Sequence, residues 1–350
     1  MMALHQAIQR VLLIGAKLDL PPPPAEAPAP AALQPLIDAI APRHRAFDER
    51  AVHFGHRYRS GFWAIYLLSA LAVLCAVLPL ALGWDNPRHG YHPLAGYWAL
   101  AEVVLILTVA AIYWLGHHRD WQGQWLAART TAELSWYLPL VAPLVDFECS
   151  GEEAGDDIDW YARVFDPGQH LRGSADLEAL CREMEPLARD CVRRAWAQAG
   201  FPREYAEWTL GLLLAQQHYH RRVGVHNRAL QHRVHRLNGG LFGLTAVGAL
   251  AHLALHTLWL SLVTTFFPAL GASLHGALAQ SESYRLGQSA ERLVNDLGAA
   301  ADRIRSAIAL QGTEAPAGAI RDAIEGALAI ILEEHQDWHL LVLPHHLPLA

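Results

Sequence analysis

Residues 61–83, GFWAIYLLSALAVLCAVLPLALG, contain neither a charge nor an amide side chain. At 1.5 Å per residue such a run makes a helix of roughly 30 Å, the thickness of a bilayer's hydrocarbon core. A buried helix of a soluble protein is seldom that long without one charged residue. A second run, Gly96–Leu115, holds a single charge, Glu102. A third apolar block, Gly239–Gln280, is about 42 residues long. That is too long for one crossing and suits two crossings joined by a tight turn near His256 and Thr257. The sequence therefore predicts an all-α integral membrane protein, with four transmembrane helices arranged as two hairpins and a cytoplasmic helical bundle or coiled coil.

Arginine placement sets the expected orientation. Arg43, Arg45, Arg50, Arg57 and Arg59 precede span one, whereas the loop between spans one and two has only Arg88. Arg119 and Arg129 follow span two, Arg221, Arg222, Arg228, Arg233 and Arg236 precede span three, and Arg285 and Arg292 follow span four. Positive residues stay on the inner side, so both termini and the middle segment are expected in the cytoplasm of a multi-pass protein of a bacterial inner membrane. Trp63, Tyr66, Tyr97, Trp98, Tyr113 and Trp114 lie near span ends, where interfacial aromatics belong. A net charge of −7 argues against a nucleic-acid surface. Lys17 is the one lysine, a composition typical of GC-rich bacterial genomes. The four cysteines, Cys75, Cys149, Cys181 and Cys191, have no CxxC spacing and are expected as free thiols. The N-terminal RVLLIGA run is too short for a cleavable leader and is followed by Lys17 and Asp19.

Five segments follow. Residues 1–32 comprise a short strand, RVLLIGAKLDL, and an extended, solvated proline-rich linker, Pro21–Ala32. Residues 33–145 hold the first hairpin with its cytoplasmic extensions. A helix over Leu33–Arg59 leads into span one, and span two continues as one helix through Trp121, Trp125, Ala128, Ala132 and Ser135 until Pro139 and Pro143 end it. Residues 146–238 hold an acidic loop, with Glu152, Glu153, Asp156, Asp157 and Asp159, then a helical stretch from Ala175 broken around Ala199–Glu204. The acidic loop lacks the oxygen and glycine order of an EF-hand. Residues 239–280 form the second hairpin, and 281–350 a coiled-coil-like helix and a C-terminal helix. In the last segment Leu286, Ala290, Leu293, Leu297, Ala300, Ile304 and Ala307 recur at alternating four- and three-residue steps, a heptad seam. Such a seam suits either a contact between subunits of a homo-oligomer, through Leu286, Leu293, Leu297 and Ile304, or docking on the chain's own cytoplasmic helices.

No P-loop, nucleophile elbow, HExxH or zinc-finger spacing is present, so the sequence gives no ground for an enzyme or a cofactor. Glu102 is an ionisable residue inside a span, the single Asp, Glu, Lys or Arg within the predicted spans. In a pore it would face water and favour cations; near the start of its span it would sit under the outer headgroups. His252 and His256 are spaced i and i+4, which can hold haem or a metal; a wet interfacial patch at the hairpin tip is the plainer reading, and His275 is a loose third candidate. The stretch HYHRRVGVHNRALQHRVHR carries Arg221, Arg222, Arg228, Arg233 and Arg236 and suits attraction to anionic lipid.

Several stretches carry a family resemblance. They are AVHFGHRYRSGF before span one, HHRDWQGQWLAARTTAELSW after span two, QQHYHRRVGVHN and HRVHRLNGGLFG before and into span three, FFPALGASLHGALAQSESYRLGQSAERL through span four, and LEEHQDWHLL. Together they resemble the SLATT-type membrane effectors, two-transmembrane modules that accompany nucleotide-sensing and SLOG-type domains in bacterial conflict systems. The resemblance implies a cell-membrane effector that forms pores or disrupts the membrane when a linked sensor fires. Members often carry the sensor ahead of the first span. Here only the strand-like segment and the linker precede Leu33, which implies a separate cytoplasmic sensor protein or a shortened member, and the hairpin is doubled.

Overall fold

A computed structural model describes residues 3–342 apart from 17, 19, 26, 85–91, 146–174, 256, 282 and 311–316. The acidic loop, Cys149, Arg88 and His256 lie outside the described residues. Among the described residues all regular structure is helical. The helices are α1 (Leu4–Leu12), α2 (Gln34–Ala81), α3 (Pro93–His118), α4 (Trp121–Val141), α5 (Ala175–Trp196), α6 (Phe201–Leu255), α7 (Leu258–Gln280), α8 (Ser283–Leu310) and α9 (Ala317–Val342). Four helical stretches are long and apolar enough to cross a membrane, the arrangement of a multi-pass membrane protein. They are the second half of α2, α3, the end of α6, and α7.

Helices α2 and α6 run 48 and 55 residues without a break, from the polar bundle into the apolar layer. Each is followed by a returning span and then by an extramembranous helix that lies back along its foot: α4 along α2, and α8 along α6. About the first four turns of each helix that lies back are matched in sequence spacing. Trp121, Ala127, Arg129, Glu133 and Leu134 in α4 have the spacing of Tyr284, Ala290, Arg292, Asp296 and Leu297 in α8. The fold is thus two similar units in tandem. The spans do not close on one another. α3 packs on α2, α2 on α7 and α7 on α6, an open row with α2 and α7 inside. The outer spans keep apolar faces: Leu100, Leu107 and Trp114 of α3 and Phe242, Val247 and Leu253 of α6 are all more than half exposed, as lipid-facing side chains should be.

Below the spans one apolar core gathers Leu36 and Ile40 of α2, Leu134 and Leu138 of α4, Leu180 and Cys191 of α5, Tyr205 of α6, Leu297 and Ile304 of α8 and Ile324 of α9. Tyr205 Oη donates to the Leu140 carbonyl, and Trp196 Nε1 donates to the Pro143 carbonyl at 3.0 Å, so the polar ends of both rings are satisfied where α4 ends. Cys75, Cys181 and Cys191 are free thiols and buried.

Four sequence expectations are corrected here. The strand expected over Arg10–Leu20 is not formed in its described part: Arg10–Leu12 end a helix that starts at Leu4 and docks on α2 and α6, and Leu13–Gly15 turn, while an isolated strand would leave its backbone unpaired. The proline-rich linker is not wholly solvated: Pro30 is buried, and Ala27 lies so close to Gly211 that a Cβ built there would stand 2.6 Å from the Ala27 methyl. Span two does not continue as one helix. Asp120 adopts a left-handed conformation, φ 42°, and its Oδ1 accepts from Gly123 N at 3.1 Å, so it ends one helix and caps the next. Pro139 lies inside α4, and only Pro143 stands at its end. α6 ends at Leu255 and α7 begins at Leu258, as the turn expected near Thr257 requires, and the chain breaks between Trp196 and Phe201, at the start of the expected Ala199–Glu204 break.

Candidate functional site: a polar collar under the spans

Where α2 enters the apolar layer, side chains of α2, α4, α6 and α7 turn polar groups toward one another, with His5 of α1 beside them. Trp125 of α4 packs on α2 at Gly55, between the stacked ring of Tyr58 (5.5 Å between centroids, 21° between planes) and the guanidinium of Arg59 (4.9 Å from the indole centroid). A cation over an indole gains on the order of 1 kcal/mol. Gln280, the last residue of α7, donates from Nε2 to Tyr58 Oη at 3.1 Å and ties the returning span to the same ring. One turn beyond Trp125, Arg129 and Glu133 form an ion pair on α4. Arg59, Arg129 and Glu133 share their field with Tyr219 and His220 of α6, which approach from the other unit.

Histidines in this collar are held neutral. Burial, with Glu133 opposing and Arg129 assisting, pushes His220 down to about 4. His5 of α1 contacts Ser60 Oγ through Nδ1 at 3.2 Å and lies 5.3 Å from the His56 ring. Burial first, then Arg59 and His56, lower it to about 4. Two polar atoms at the same level, Trp63 Nε1 at the first turn of span one and Asn238 Oδ1 at the foot of span three, are buried without a hydrogen-bond partner among the described residues. Sequence reading missed this collar. Its residues lie far apart in the chain, and the available signal was the arginine and aromatic density flanking Gly61 and following span two.

The residues singled out from sequence are scattered. Glu102 is half-buried in α3, on the side from which its charge reaches Cys75 of α2. It faces a neighbouring span at the level of Cys75, sixteen residues along α2 from Arg59 of the collar. Leu293, Leu297 and Ile304 are buried within the chain, on α6 and α9, and Leu286 is half-buried. The heptad seam therefore docks on the chain's own helices, the second of the two readings. His252 is exposed on α6 and His275 exposed on α7. Among the described residues no three metal-binding side chains converge. The five arginines divide: Arg228 pairs with Glu291 of α8, Arg221 and Arg222 are exposed, and Arg233 and Arg236 line a cleft beside α1.

The chain matches no family model, no curated protein and no solved structure.

Proposed function

We propose that the protein is a membrane-embedded effector that opens or disrupts a bacterial inner membrane when its extramembranous bundle is rearranged. The observation that carries the reading is the continuity of α2 and α6 from bundle to bilayer. A helix without a break transmits a tilt along its length, so a partner that repacks the core around Leu36, Tyr205 and Ile304 moves two of the four spans directly. The polar collar stands at the fulcrum, where charged and hydrogen-bonding groups lie under the apolar row. The open row of spans supports an assembly of several copies through the exposed faces of α3 and α6, since the seam on α8 is occupied. The arginine bias supports a cytoplasmic bundle and cytoplasmic termini, within reach of a separate sensor protein, and the likeness to SLATT-type effectors fits a role in a nucleotide-sensing defence system.

The test is conductance. Liposomes loaded with a self-quenched dye and a potential-sensitive probe should leak or depolarise when the purified chain is present and its bundle is loosened by Leu36→Ala, which leaves the spans untouched. If vesicles stay sealed with both proteins, the second reading holds: a non-conducting scaffold that anchors a cytoplasmic partner at the membrane.

A further inference from the structure

Helix α1 has a wider apolar arc than the protein covers. At 100° per residue His5, Ile8 and Leu12 fall on one side, packed against the cluster at the foot of the spans. Leu4 and Val11 fall on the adjoining part of the same arc and are 47% and 66% exposed, and Ile14 in the turn beyond is 70% exposed. The height of this helix is fixed by the contact of His5 with Ser60, the residue before the apolar run begins. An uncovered apolar face at that depth meets the boundary between headgroups and acyl chains.

Beside it lies an open cleft of about 570 Å³, lined by Gly15 and Ala16 on one wall and Ala229, His232, Arg233 and Arg236 on the other. Gly15, with φ 72°, turns the backbone after α1 into this wall. Arg236 precedes by three residues Gly239, where span three starts, so the second wall also stands at headgroup depth. Among the described residues no carboxylate pairs with His232, Arg233 or Arg236, whereas Arg228 on the same helix is held by Glu291. Apolar contact on one side and, on the other, two arginines with no carboxylate partner among the described residues is the chemistry of a phospholipid with a negative headgroup.

We propose that the cleft between α1 and α6 holds the headgroup of an anionic phospholipid, with His232, Arg233 and Arg236 around its phosphate and Leu4, Val11 and Ile14 in the adjoining acyl region. The lipid clamps α1 to the foot of span three, so α1 reports the lipid charge at the inner surface to the helices of the collar.

Native mass spectrometry of the full chain in mixed micelles of phosphatidylglycerol and phosphatidylcholine tests this. Phosphatidylglycerol should be retained over phosphatidylcholine. Arg233→Gln with Arg236→Gln should weaken its retention roughly 25-fold, about fivefold for each arginine near a lipid surface. Arg221→Gln with Arg222→Gln removes the same charge from outside the cleft and should change retention less than twofold. Val11→Ser with Ile14→Ser should weaken it with every basic residue in place. Equal losses in the two arginine pairs, equal retention of the neutral lipid, or displacement of the lipid by excess inorganic phosphate would each overturn the proposal. None of these readouts depends on conduction, so the outcome is separate from that of the effector reading.

Discussion

The indole of Trp125 occupies the space that a side chain at residue 55 would need: a Cβ built on Gly55 would stand 2.8 Å from Trp125 Nε1. The ring has little freedom to yield, since Tyr58 stacks on it and the Arg59 guanidinium lies over it. Gly55→Ala adds helix propensity of about 1 kcal/mol but forces an overpacking cost of about 1–3 kcal/mol. The expected result is a lower thermal midpoint in detergent, recovered when Trp125→Leu is added. A single variant as stable as the wild type would show that α2 and α4 do not meet here.

The seam of α8 yields a prediction about folding. Leu293 and Leu297 are 5% and 1% exposed. Replacing both with Asp loses about 1.5–3 kcal/mol of apolar burial at each and places two unpaired charges in the core. We expect the bundle to unfold while the spans stay inserted, seen as rapid trypsin cleavage within residues 283–333. Clean dissociation to a folded monomer would return the seam to the role of a subunit contact.

Acid should loosen the collar. A histidine whose folded pKa lies below its unfolded value contributes stability fully above pH 6.5, and that contribution falls away as pH drops from 6.5 toward the folded value. His5 is 3% exposed and held at about 4, so the loss at pH 4 is about 3 kcal/mol at most. His220, half-buried and also held at about 4, adds a smaller loss over the same window because solvent screens it. The thermal midpoint of the wild type should fall between pH 7 and pH 5, and His5→Asn should fall less over the same interval. Parallel pH profiles for the two proteins would remove His5 from this account.

Glu102 gives the prediction that bears on conduction. Its carboxylate stands among apolar side chains and on the side of α3 that reaches α2. If ions pass beside it, its charge favours cations. Glu102→Gln should then shift the reversal potential in a salt gradient toward the anion value, with insertion and assembly unchanged. An unchanged reversal potential in two conducting preparations places Glu102 off the path.

The apolar layer was legible because lipid leaves a helix no partner but itself: a 23-residue run without a charge has one solution. The hairpin turn at Thr257 followed from length alone. The seam Leu293–Ile304 was legible as a stripe, but a stripe does not name the surface it meets, and here α6 and α9 supply it. The break at Asp120 had a local signal, an aspartate three residues before Gly123, which the helical periodicity on either side outweighed. The strand expectation for RVLLIGAKLDL fails at Arg10–Leu12 because its β-branched and leucine residues suit a strand locally, whereas docking of Leu4–Leu12 on α2 and α6 decides for the helix. The collar was hidden for a different reason. Arg59, Trp125 and His220 meet only after two hairpins have folded back, and no spacing in the chain encodes that meeting.

The two margins of the row of spans are chemically unlike. One presents the bulky edge of α3, with Tyr97, Leu107 and Trp114, and the other an edge of α6 that is shallow at its foot, where Gly239, Gly240 and Gly243 have nothing within 4 Å of the space a side chain would fill, with the exposed Val247 and Leu250 beyond. Two molecules joined by like margins stop at a pair. Joined by unlike margins, ridge against furrow, they leave one fresh ridge and one fresh furrow at the ends. Such a file has a direction of growth and ends only by curving onto itself. The angle between neighbours would then fix the size of the enclosed opening, and the tandem repeat would place two hairpins around that opening for every chain.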